Sequence, residues 1–286
     1  MTLTISGLSK RYPNGVQALN EVSLNCETGI YGLLGQNGAG KSTLMRTLAT
    51  LQEADEGSAS LGDLDLLRET AEARKDIGYL PQEMGVYPNV TALECLEYFA
   101  GLKGLSHLDL MAELEKVNLA NEAHQRLDTF SGGMRRRFGI AVAFLGKPKL
   151  VIVDEPTAGL DPFERRRFQH ILAEASRDCI LILSSHIVED IADLAGSMAI
   201  LHKGKVLAEG NPDELIATLD GQVFTIAVSF EDYPEAQKNH RILSSRPGRD
   251  SHLIRVHHES APGSDFTPVA PTLEDYYAHR VTTLNS

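Results

Sequence analysis

One stretch limits what this chain can fold into more than any other: residues 30–51, IYGLLGQNGAGKSTLMRTLATL. An apolar, strand-sized run over 30–34 stops at Gly35. Gln36, Asn37, Gly38 and Ala39 follow, then Gly40, Lys41, Ser42 and Thr43, with Leu44, Leu48 and Leu51 at helical spacing behind them. This is G-x-x-x-x-G-K-[ST] set between a strand and a helix, the only context in which that pattern carries meaning. The glycines let the backbone turn through positive φ with no Cβ in the way, so that its N–H groups point inward. The helix opening near Lys41 adds the positive end of its dipole. The arrangement fits a polyphosphate, with Lys41 reaching the β- and γ-phosphates and the Ser42 hydroxyl ligating Mg²⁺.

The rest of the composition narrows the class. At 286 residues the chain suits one large domain with an appendage, or two modest domains. A net charge of -12 argues against nonspecific nucleic-acid binding and against a broad electrostatic hold on anionic lipid. Two basic triplets, Arg135-Arg136-Arg137 and Arg165-Arg166-Arg167, are candidates for a compact basic site within the acidic whole, with solvated helix faces the favoured reading. Three scattered cysteines (Cys26, Cys95, Cys179) support neither a disulfide framework nor a zinc site and are expected as buried thiols in a reducing cytosol. The N-terminus lacks the basic and apolar regions of a signal peptide. No apolar run approaches the roughly twenty residues that span a bilayer, so at a membrane another chain would supply the membrane part.

In chain order, residues 2–28 alternate polar and apolar around the turn Pro13-Asn14-Gly15, which fits two or three antiparallel strands. Tyr12 beside that turn could stack on an adenine ring or simply pack the strand end. Another short strand with a turn at Gly62-Asp63 is expected over 57–66. The strand 77–80 ends at Pro81-Gln82, which puts Gln82 at the carboxyl edge where α/β sheets bind ligands. There Gln82 could coordinate Mg²⁺ and orient a water, or be a plain loop amide. Residues 83–130 read as a helical insert, opened by a capping box from Thr91 to Glu94. Ser131, Gly132, Gly133 and Met134 then start another helix. A serine N-cap followed by two glycines makes a second anion cradle, although the tetrapeptide alone is a weak signal.

The run LVIVDEP, 150–156, is a buried parallel-type strand ending in two carboxylates. Neighbouring residues on a strand face opposite ways, so Asp154 and Glu155 take different jobs unless the strand turns. Asp154 suits Mg²⁺ or its bound water, and Glu155 suits a general base toward an attacking water. The stretch 158–162 is a tight turn into a helix with Asp161 as N-cap and Pro162 at its first position. A further buried strand ends at Ser184-Ser185-His186, on the same edge as Gln82 and Glu155. A hairpin turning at Lys203-Gly204 and a helix from Pro212 follow. Residues 221–286 differ: strand patterns at 222–230 and 252–257, a loop-like 259–271, and a short terminal helix. His257 and His258 would face opposite sides of a strand and are not expected to share a metal.

Taken in order, these pieces resemble the ATP-binding cassette (ABC) ATPases. GQNGAGKST (35–43) matches the Walker A loop, Gln82 the Q-loop, FSGGM (130–134) the signature and LVIVDE (150–155) Walker B. Residues 158–161 match the D-loop, His186 the switch histidine and Tyr12 the aromatic that faces the base. The resemblance covers residues 3 to about 216. It implies an α/β fold: a P-loop NTPase (RecA-like) core, an antiparallel β-subdomain and a helical subdomain at about 83–145. The cassette would occupy 1–218, and a small α+β extension at 219–286 would be regulatory or partner-binding. The signature departs from the usual LSGGQ by Phe130 and Met134, while its serine and both glycines remain. The SGGM-RRR form and the LEDYY near the end are similar to the branch that serves drug, lipid or ion exporters through a separate permease.

The resemblance further implies a head-to-tail pair of cassettes, two copies of one chain, that sandwiches two ATP molecules with Mg²⁺. Residues 35–43 of one copy, with Tyr12, would face Ser131, Gly132 and Gly133 of the other. Lys41, Gln82, Glu155 and His186 would be catalytic, and Ser42, Gln82 and Asp154 would hold the metal. The chain would sit in the cytoplasm, peripheral at the inner face of the cell membrane, docked on permease subunits near Gln82 and the helical insert. A soluble ABC ATPase working on a macromolecular complex is the alternative; single-cassette length and acidic charge weigh against it. A nucleotide-binding module without turnover is weighed down by intact Lys41, Asp154, Glu155 and His186.

Overall fold

Alternating burial along the first strands builds an antiparallel layer. The structure, a computed structural model, describes residues 1–282 apart from Met84, Val86, Tyr87, Ala158 and Gly159. β1 (Thr2–Arg11) and β2 (Gln17–Glu27) pair antiparallel around the turn at Gly15, which takes φ 87°. β3 (Gly29–Leu34) leads through the glycine-rich loop to α1 (Lys41–Leu48). The helix ends there, before Leu51, which is exposed. β4 (Glu56–Leu61) and β5 (Leu64–Asp65) form the expected hairpin, and Gly62 turns at φ 58°. The order β2-β1-β4-β5 makes a four-stranded sheet.

α2 (Thr70–Asp76) leads into β6 (Ile77–Leu80). The helical stretch that follows holds α3 (Ala92–Leu102), α4 (Leu110–Lys116), two short 3-10 turns and α5 (Gly132–Ala143). The capping box forms: the Glu94 N–H donates to Thr91 Oγ1, and the Thr91 N–H donates to Glu94 Oε2 at 2.9 Å. β7 (Leu150–Asp154), α6 (Pro162–Ala175), β8 (Ile180–Ser185), α7 (Val188–Leu194), β9 (Ser197–His202) and β10 (Lys205–Gly210) complete the core. Lys203 and Gly204 both take positive φ, as a two-residue hairpin turn requires.

The central sheet runs β10-β9-β3-β8-β7-β6, with β3, β8, β9, β7 and β6 parallel where paired. Its inner strands are continuously buried, and Leu150, Val151, Ile152 and Val153 have no exposed surface. Each such side chain contributes about 1.5–3 kcal/mol through burial. Register then decides what lies at the carboxyl edge. Leu33 and Asp154 both pair with Ser184, and Leu34 pairs with Ser185, so the loop after β3 and the carboxylates after β7 emerge side by side. Among the described residues no helix is long and apolar enough to cross a membrane.

The chain divides into two compact units, Met1–Val206 and Leu207–Ser286. The second contains α8 (Pro212–Ala217), β11 (Val223–Ser229), α9 (Tyr233–Asn239), β12 (Arg241–Pro247), β13 (Ser251–His257), β14 (Thr267–Pro268) and α10 (Leu273–Thr282). Its sheet has the order β12-β13-β11-β14. The strands at β11 and β13 are where the alternation puts them. α9 and β12 were not legible, because residues 233–247 are short, polar and carry Pro234 and Pro247 without a clean period. His257 and His258 do face different neighbours: His257 lies 4.3 Å from the His279 ring, whereas His258 Nε2 lies 3.1 Å from His240 Nδ1.

Candidate active site: a phosphate loop facing a clamped carboxylate

The glycine-rich loop is held in a shape that side chains would obstruct. A Cβ on Gly35 would come within 2.4 Å of the Leu201 carbonyl, and one on Gly40 within 2.4 Å of the Ala18 carbonyl. Gly38 and Gly40 take φ 80° and 107°. Gly40 is also the N-cap of α1 and makes no side-chain cap, so the first N–H groups of the helix face the loop's concavity. Lys41 is 4% exposed; its Nζ donates to the carbonyls of Gly35 at 2.7 Å and Gln36 at 3.3 Å. A cavity of about 400 Å³ opens above, lined by Tyr12, Gln36, Asn37, Gly38, Gly40, Lys41, Ser42, Thr43, Gln82 and Glu155 among others. Ala39 is buried beneath the loop.

The carboxylates after β7 separate by a backbone turn. Asp154 ends the strand, and Glu155 takes φ 45°, a left-handed conformation unusual for a side-chain-bearing residue. The strand therefore does turn between them, and alternation no longer governs where they point. The Glu155 carboxylate is 3.1 Å from Lys41 Nζ through Oε1; through Oε2 it is 3.0 Å from His186 Nδ1 and 3.4 Å from Gln82 Nε2. Ser184 sits between the two acids. Its Oγ donates to Asp154 Oδ1 at 2.6 Å and accepts from the Glu155 N–H at 2.9 Å. Burial, then the Asp154 charge, pushes the Tyr79 hydroxyl above its usual range, opposed by a bond from Arg46. The carboxylate of Asp154, the hydroxyl of Ser42 and the amide of Gln82 are hard oxygen donors of the kind Mg²⁺ takes.

Tyr12 lies at the cavity mouth, and its hydroxyl bonds Thr43 Oγ1 at 3.2 Å and Gln52 Oε1 at 3.1 Å. Ser131, Gly132 and Gly133 do not line this cavity. Ser131 caps α5, accepting from the Met134 N–H at 3.2 Å, and both Ser131 and Gly132 are exposed. Ala158 and Gly159 of the turn before α6 lie outside the described residues. Asp161 caps α6 through Phe163 and Glu164, each at 2.9 Å, and Pro162 takes the first position.

Arg166 is exposed as expected, but three other arginines of the triplets differ from the expectation of solvated faces. Arg137 is buried and pairs with Glu164 at 2.6 Å, the half-buried Arg136 donates to backbone carbonyls, and Arg165 pairs with the buried Asp190 at 2.7 Å. Their partners come from other elements, which no pattern within one helix reveals. Ser184 and Gln52 were also missed. Ser184 had a signal, its place one pair from His186 at a strand end; Gln52, which donates to the Thr43 carbonyl and to Thr47 Oγ1, had none.

The family description ABC transporter matches residues 19–158 of the chain. ABC transporter A family member 8 of Dictyostelium discoideum is 36% identical over 245 residues, 81% of this chain and 29% of that protein. The chain thus spans less than a third of the length of that relative. The daunorubicin/doxorubicin resistance ATP-binding protein DrrA of Streptomyces peucetius is 35% identical over 263 residues, 90% of this chain and 77% of that protein. A solved ATP-binding subunit of an ABC transporter superposes with a TM-score of 0.69 at 29% identity, covering 76% of this chain and 93% of its own. With an α/β P-loop core, a glycine-rich loop and these relatives, the chain belongs to the ABC transporter family as an ATP-binding cassette.

Proposed function

We propose that the chain hydrolyses ATP as the motor subunit of an ABC exporter, in a head-to-tail pair of copies docked on separate membrane permease subunits. The observation that carries the reading is the Glu155 carboxylate, held between Lys41 and His186 where the phosphate loop's cavity ends. ATP would lie with its base on Tyr12 and its phosphates against residues 35–43. Lys41 would balance charge on the β- and γ-phosphates. Glu155 Oε2 would take the proton of the attacking water, and His186 would orient the γ-phosphate. Bound Mg²⁺, held by Ser42 and Asp154 with Gln82 nearby, would supply charge neutralisation at the phosphates.

Ser131 and Gly132, both exposed, and the half-buried Gly133 do not line this chain's own cavity, which supports a role toward the nucleotide of a second copy. The name of the drug-resistance relative DrrA supports the exporter reading, for which the chain would act at the cytoplasmic face of the cell membrane. The C-terminal unit then serves regulation or partner binding. The test is ATP turnover of the purified chain with and without Glu155→Gln. We expect the variant to bind ATP and to turn over at least a hundredfold more slowly. Hydrolysis at the unsubstituted rate would remove Glu155 from its role, and absence of turnover in both would overturn the enzyme reading.

A further inference from the structure

The left-handed turn at Glu155 is clamped from both sides. Ser184 accepts its N–H at 2.9 Å from the β8 side. On the other side Arg136 Nη1 donates to the Glu155 carbonyl at 3.0 Å and to the Pro156 carbonyl. Pro156 has no N–H of its own to anchor the turn, so those two carbonyls are where the backbone can be gripped. Burial disfavours the charged form of Arg136, holding its guanidinium below the usual range, which marks a charge drawn in from solvent to make these bonds. A non-glycine residue at positive φ persists only where its surroundings over-determine it. Arg136 lies on α5, five residues beyond the Ser131 cap and thus within the helix's first two turns.

We propose that Arg136 is a positioning residue for ATP hydrolysis. It holds the 155–156 turn so that the Glu155 carboxylate faces the phosphate loop, and it ties that placement to the helix whose N-terminus meets the second copy. The proposal rests on the reading of Glu155 as the base. The described bonds of Arg136 to this turn go to the Glu155 and Pro156 carbonyls, so its effect on the carboxylate passes through the backbone. A shift or rotation of α5 on docking against another copy's nucleotide would reach Glu155 through one rigid arm. Both bonds leave from one terminal nitrogen, Nη1, and a lysine ammonium, carried on a stem one bond shorter, ends short of that position.

The experiment compares wild type, Arg136→Ala and Arg136→Lys, alone and in a Glu155→Gln background, for ATP turnover, ATP affinity and thermal melting. Loss of a charged hydrogen bond of this kind corresponds to about a tenfold to hundredfold fall in kcat. We expect that fall in Arg136→Ala with ATP affinity within about twofold, a smaller fall in Arg136→Lys, and partial recovery of Arg136→Ala by added guanidinium-type cations such as methylguanidinium. In the Glu155→Gln background we expect Arg136→Ala to lower the residual rate by less than about twofold, because there is no carboxylate left to place. Equal losses in both backgrounds, or a matched loss of affinity and melting temperature, would reduce Arg136 to a fold-holding residue. Should Arg136→Ala not fold, an Arg136→Lys variant with full kcat overturns the proposal, and one with lowered kcat and unchanged affinity upholds it. If Glu155→Gln costs the wild type nothing, the base assignment has failed, and Arg136 loses its role with it.

Discussion

Ser184→Ala removes one oxygen atom and with it both the bond to the Asp154 carboxylate and the anchor of the Glu155 backbone N–H. The Ser184 side chain has no exposed surface, so water does not take over its bonds at the protein surface. Its bond to the Asp154 carboxylate is worth about 1.5–3 kcal/mol and that from the Glu155 N–H about 0.5–1.5 kcal/mol, which together come to about 2–4.5 kcal/mol of stability. Alanine fits the space of serine, so no packing strain adds to this. Domains of this size have stabilities of about 5–15 kcal/mol, and the variant should remain folded at 25 °C. Catalysis should suffer more than folding, because a misplacement near 1 Å at reacting groups costs about a hundredfold. We expect a urea midpoint lowered by an amount matching about 2–4.5 kcal/mol, and kcat lowered about tenfold to a hundredfold with little change in ATP affinity. A variant with the lowered midpoint and kcat within twofold of wild type would show that Ser184 holds the fold without positioning the acids. One with an unchanged midpoint would refute the hydrogen-bond accounting itself.

Other outcomes follow from the same geometry. Burial first, then the charges of Arg241, His257 and Arg280, depress His279 from 6.5 to about 4, and burial depresses His257 and His258 too. A base with a depressed folded pKa takes up protons more readily when unfolded, so stability is present above about pH 6.5 and lost as pH falls toward 4; hydrogen exchange at β11–β13 should accelerate over that window, and His279→Gln should flatten the response. Tyr12→Phe keeps the ring and loses the bonds to Thr43 and Gln52, so ATP affinity should change by less than about threefold, whereas Tyr12→Ala should weaken it about fivefold or more through lost stacking. Gly78→Ala puts a Cβ 1.8 Å from the Ala143 carbonyl, a backbone atom that cannot yield, and should destabilise by at least about 3 kcal/mol in a urea melt.

What could be read in advance was local. The strand before Gly35, the Ser131 cap, the Asp161 cap and the buried run 150–153 each announce themselves through neighbours in sequence, and each is present in the structure. The turn at Glu155 was not legible, because its left-handed φ depends on Ser184 and Arg136, which reach it from 29 and 19 residues away. The place of Lys41 at the end of the glycine-rich loop was legible, but its ion pair with Glu155 arises from parallel register between β3, β8 and β7. The misread arginines belong to the same class: Arg137, Arg165 and their acidic partners meet only when α5, α6 and α7 pack. In the C-terminal unit, α9 and β12 fall in polar sequence whose period is too short to register.

The central claim is that the loop 35–43 forms half of a site, completed by Ser131 to Gly133 of another copy. The most direct measurement is ATP turnover of Ser131→Arg and Glu155→Gln, assayed singly and as a mixture of the two proteins. Ser131→Arg should bind nucleotide as a monomer with wild-type affinity yet fail to turn over, since each site it completes is obstructed. Mixing should restore activity, because a mixed pair joins the intact Glu155 of one copy to the intact Ser131 of the other. Wild-type turnover by Ser131→Arg alone, or a mixture as inactive as its components, would contradict the two-copy site.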